Sequence, residues 1–64
     1  MTKQEVDHVE QTYKIYVDGV SACKTNGDKQ TGAWLFAKAD AILDIMHDLG
    51  YSWHEEEGFK KRDE

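Results

Sequence analysis

The sequence predicts an α+β fold, a small β-β-α-β domain with one helix packed on a short two- to three-stranded sheet. Three observations predict it. Tyr13-Lys14-Ile15-Tyr16-Val17 is β-branched, aromatic and alternating, and it runs into Asp18-Gly19, a two-residue hairpin signal. Leu35, Ala39, Ile42, Met46 and Leu49 recur at helical spacing. Tyr51-Ser52-Trp53-His54-Glu55 then alternates again.

Taken in order, residues 1–12 form an N-terminal arm, either frayed or a short helix. Thr2-Lys3-Gln4-Glu5 matches the capping-box pattern that starts a helix, but a helix this short is marginal alone. The domain proper spans 13–57. Its first strand is Tyr13–Val17 and its return strand Val20–Thr25. A two-residue loop at Asp18-Gly19 sets Val17 opposite Val20 and Ile15 opposite Ala22, which gathers Tyr13, Ile15, Val17, Val20 and Ala22 on one face. Asn26-Gly27 is a second turn, and Asp28–Thr31 reads as a loop rather than a third strand because it offers nothing to bury.

The helix begins at Gly32 or Ala33, with Thr31 as N-cap, and runs to Leu49, with Gly50 placed for the left-handed residue that ends it. Trp34, Ala41 and Ile45 flank the core stripe on one side, and Phe36 and Leu43 flank it on the other. The apolar face is wider than one small sheet requires. Tyr51–Glu55 is the last strand, with Tyr51 and Trp53 inward, and residues 58–64 form a charged tail.

Sixty-four residues make one domain with a small core. Cys23 is the single cysteine, so no internal disulfide forms and a reducing, cytoplasmic setting is expected. No signal peptide or apolar run near 18 residues is evident, so no membrane partner is expected. Thirteen acidic against eight basic residues give a net charge of −5, which repels phosphates and favours partners with basic surfaces.

The chemistry-bearing residues point to binding rather than catalysis. His8, Cys23, His47 and His54 lack the paired spacing of a metal site, and neither Ser21, Ser52 nor Cys23 has an evident base. No enzyme activity, metal or cofactor is expected. The distinctive feature is an acidic ladder, Asp40, Asp44 and Asp48, on one face of the helix. Like charges at that spacing repel by roughly 0.2–0.5 kcal/mol per pair, and Asp48 opposes the dipole at the helix end. Such local penalties gather at functional sites.

The carboxylates repeat about every 6 Å by helix rise, close to the phosphate spacing along a nucleic-acid strand. With Glu55, Glu56 and Glu57, and with Trp34 and Phe36 as aromatic anchors, they form the expected partner-binding set. The function expected is a small acidic non-enzymatic binding protein. It resembles in type the inhibitors that bacteriophages and mobile elements make against host proteins, here by occupying a basic, nucleic-acid-binding surface in the host cytoplasm. One alternative is a homodimeric structural or assembly module joined through the wide apolar helix face. A weaker alternative is a single-stranded nucleic-acid binder using Tyr16 beside Lys14, with Lys24, Lys29 and the Lys60-Lys61-Arg62 tail.

Overall fold

The computed structural model describes residues 1–62. Helix α1, Lys3–Asn26, turns through Gly27-Asp28 into helix α2, Lys29–Asp48, and a β-hairpin follows, β1 Tyr51–His54 and β2 Gly58–Lys61. The fold is α+β, with two helices and a two-stranded antiparallel sheet. The β-β-α-β order is corrected: the segments expected as the first two strands are one helix.

The reason lies in a longer period than Tyr13–Val17 shows. Val6, Val9, Tyr13, Tyr16, Val20 and Cys23 are spaced alternately three and four apart, and each is half-buried. That is a helical seam, matched by Leu35, Ala39, Ile42 and Met46 on α2. Asp18-Gly19 is not a turn. Gly19 is helical and faces α2, since a Cβ there would sit 2.8 Å from Leu35 Cδ1. Gly32 has the same use, with Cys23 Cβ 3.2 Å from where its own Cβ would be. These two glycines let the helices approach at the end nearest the connecting turn.

Caps fix the helix limits. Thr2 Oγ1 accepts from the Glu5 backbone N–H at 3.1 Å while Glu5 Oε1 accepts from that of Thr2 at 2.7 Å, the capping box the sequence signals. Residues 3–12 are thereby the first turns of α1. Gly27, at φ 76°, ends the helix, and the Asp28 N–H donates to the Cys23 carbonyl at 2.9 Å. Helix α2 starts earlier than Gly32, because Asp28 Oδ1 accepts from the Thr31 N–H at 3.1 Å and caps it. Its first turn is exposed, so it needs nothing to bury. These hydrogen bonds hold the Glu5 and Asp28 carboxyls below their ordinary range. The caps therefore contribute fully above that range and are lost as pH falls through the lowered folded values.

At the other end of α2, Gly50 has φ 92° as expected of a left-handed terminator. Trp53 faces Phe59 across the hairpin, and a three-residue Glu55–Glu57 loop closes onto Gly58 at φ 76°. A Cβ on Gly58 would collide with the Glu10 carboxylate, so the hairpin sits directly against α1. Tyr13, Trp53 and Phe59 form a ring cluster, with centroids 4.6, 5.6 and 5.0 Å apart pairwise. Among the described residues, the buried hydrophobic side chains are Ala39, Met46 and Phe59.

The segment expected as a tail is also corrected up to Arg62. Gly58–Lys61 is the second strand, and Lys60 pairs with Glu57 at 3.1 Å. Arg62 reaches back to α2: Nη2 donates to the His47 carbonyl at 2.9 Å, and Nη1 lies 2.9 Å from His47 Nδ1 and donates to the Tyr51 carbonyl at 3.1 Å. A cation on the last carbonyls of a helix is favourable to its dipole. Arg62→Ala is expected to cost about 1 kcal/mol, these bonds being exposed. The check is amide exchange, which should speed up in the hairpin and leave the middle of α1 unchanged.

Candidate functional site

Helix α2 carries one row at spacing four: Phe36, Asp40, Asp44 and Asp48, all exposed. Two ion pairs occur among the described residues, Lys14 with Glu10 and Lys60 with Glu57, so no ladder carboxylate has a described cation within pairing distance. The ladder's repulsion is therefore uncompensated by a described neighbour.

The hairpin brings the second acidic element to the same region. Glu55 shares a crevice with Tyr13, Lys14, Val17, Asp18 and Trp53, while Asp40 and Asp44 line the crevice between α2 and the hairpin. Tyr13 lies between them. Its hydroxyl is pushed above the ordinary phenol range, first by partial burial, then by the negative charges of Glu55 and Asp40. Glu56 and Glu57 are exposed on the hairpin turn, Glu57 engaged with Lys60.

Above this acidic edge the helix pair opens into a groove of about 440 Å³, with Val17, Val20, Phe36, Ala39 and Leu43 as its apolar walls, Tyr13 and Asp40 at the hairpin end, and Ser21 and Lys24 toward the connecting turn. Phe36 is 61% exposed there. With a carboxylate at its hairpin end and a lysine at the other, the groove suits a segment that brings an apolar side chain between the helices and its positive charge to the Asp40 end.

The structure separates the two expected aromatic anchors. Two residues apart on a helix lie about 200° apart by the helix period, so Trp34 belongs to the other flank. There Lys38 Nζ stands 4.2 Å from the Trp34 ring centroid and 5.5 Å from that of Tyr16. Phe36 joins the acids; Trp34 does not. Tyr13, Val17 and Val20, which complete the groove from α1, escape a reading that places them in strands. Their spacing with Val6, Val9 and Cys23 is the signal that finds them.

Among the described residues, no three His, Cys, Asp or Glu side chains converge as a metal site would require, and no helix is long and apolar enough to cross a membrane. Comparison with protein-family models, with curated proteins and with solved structures gave no match to this chain.

Proposed function

We propose that this chain is a small, acidic, non-enzymatic binding protein that inhibits a partner by occupying its basic, nucleic-acid-binding surface. The observation that carries this reading is the row Phe36, Asp40, Asp44, Asp48: three exposed carboxylates without a described cation, headed by an exposed aromatic at an apolar groove. The carboxylates stand in for phosphates, at a repeat of about 6 Å, and Glu55 extends the charge onto the hairpin. Phe36 and the groove add the apolar contact that a nucleic acid lacks, which gives the inhibitor selectivity among basic proteins.

The test is a pair of measurements on Asp40→Asn with Asp44→Asn. Removing those charges relieves both repulsions of the ladder, roughly 0.2–0.5 kcal/mol each, so the variant melts at or slightly above the wild-type temperature. Binding moves the other way. Wild-type protein is expected to capture a DNA- or RNA-binding protein from lysate and to displace oligonucleotide from it, less well as salt rises. The variant is expected to displace it at least tenfold less well. Equal displacement by the variant overturns the reading.

A further inference from the structure

We propose that a second copy of this chain covers the flank of the helix pair opposite the β-hairpin, making a four-helix dimer that leaves the acidic groove on each copy free. On α2, Trp34, Lys38, Ala41 and Ile45 follow at spacings of four, three and four, forming a stripe beside the core seam. On α1, Thr12 and Gly19 lie beside the seam on the same flank, which the approach of Lys38 to Tyr16 identifies. The hairpin packs on the other flank, against Tyr13, Asp40 and Leu43. Trp34 and Ile45 are therefore left 57% and 59% exposed.

Two arguments select a second copy as the occupant. The first is charge. A chain of net charge −5 repels itself, and self-association needs a face without carboxylates. From Trp34 to Ile45 this stripe holds one charged residue, Lys38, laid over two aromatic rings. Of the ladder residues, Asp40 and Asp44 point elsewhere on the helix, and Asp48 follows the stripe one step beyond Ile45, at its hairpin end. The second is area. The chain exposes 5057 Å², whereas a compact monomer of this length exposes roughly 4200 Å². The excess, roughly 800 Å², is about one partner's share of a standard interface. The elongated form, 41 × 18 × 17 Å, is that of half a bundle.

The geometry also sets the pairing. A two-fold axis near the middle of the stripe lays α2 antiparallel to its copy, with Trp34 of each chain over Ile45 of the other. Ala41, small and central, lies opposite Lys38 of the copy and admits close approach.

The test is sedimentation equilibrium of the full chain from micromolar to millimolar concentration, with far-UV circular dichroism of each variant. The wild type is expected to reach twice the monomer mass. Ile45→Glu and Trp34→Ala, both at exposed positions, are expected to keep the helical spectrum and to raise the dissociation constant roughly 30-fold or more, as loss of a hot spot does. Asp40→Asn with Asp44→Asn is expected to dimerise like the wild type, which separates this interface from the acidic site. A wild type that stays monomeric throughout overturns the proposal. So does a dimer that either folded variant leaves unchanged.

Discussion

Phe59→Ala is expected to remove most of the protein's stability. Phe59 is 6% exposed and touches both Tyr13 and Trp53, so it joins the hairpin to α1. Truncating a buried Phe costs about 3–5 kcal/mol, while a domain of this size holds roughly 3–10 kcal/mol in total. The loss is thus of the order of the whole. It has a local signature as well. Trp53 sits within the ring cluster and Trp34 is exposed on α2, so the red shift on substitution should come from Trp53 alone. Fluorescence with urea titration checks both points. An unfolding free energy within about 1 kcal/mol of wild type, with unshifted emission, would mean that the hairpin is not held by this cluster.

Met46 should show the second large effect, and a sharp dependence on shape. At 1% exposure it is the most completely buried large side chain, on the seam of α2 near the hairpin. Met46→Ala leaves a cavity that a core with three buried hydrophobic residues among those described has little means to refill, and about 2–5 kcal/mol is expected to go. Met46→Leu preserves volume and should cost less than about 1.5 kcal/mol. Ile45→Ala, one residue along and exposed, should be close to neutral in the isolated monomer. Thermal unfolding of the three variants decides; equal losses at Met46 and Ile45 would mean that α2 is turned differently.

The sequence made legible what was locally consistent. The core stripe of α2 from Leu35 to Met46, its end at Gly50 and the strand at Tyr51 have one reading at every window length. Leu49, placed in the stripe by the same spacing, is 53% exposed at the end of the helix. The capping box at Thr2 leaves a frayed arm and a helix both open. Helix α1 has no such single reading. Within five residues Tyr13–Val17 alternates like a strand, and Asp18-Gly19 has the chemistry of a hairpin turn. Only the 18-residue run from Val6 to Cys23 shows the three-four spacing, and only packing explains Gly19, which serves Leu35 rather than a positive φ. Phe59 was hidden for a related reason. Three glutamates and a glycine look like the end of order, yet they make the short loop whose left-handed Gly58 returns the chain.

The exposure of the acidic ladder could be read from helix period alone, as could the separation of Trp34 from Phe36. The groove beside Phe36 could not. Its other wall comes from α1, and a wall assigned to a sheet cannot be placed against α2.

The meeting of Gly58 with Glu10 has a consequence for how the protein assembles. Helix α1 is joined to α2, and β1 to β2, by turns of two or three residues, so most of the fold is built from neighbours along the chain. Such structure closes with little loop entropy and forms fast. Glu10 and Gly58 lie at opposite ends of the sequence, and their contact, with that of Tyr13 on Phe59, must wait until both hairpins exist. Docking of the strands is then expected to be the last step of folding and the first of unfolding, which pulse-labelled amide exchange would show as late protection of β1 and β2. It is also the step that sets Glu55 across Tyr13 from Asp40, so the acidic surface is complete only in the molecules that have finished.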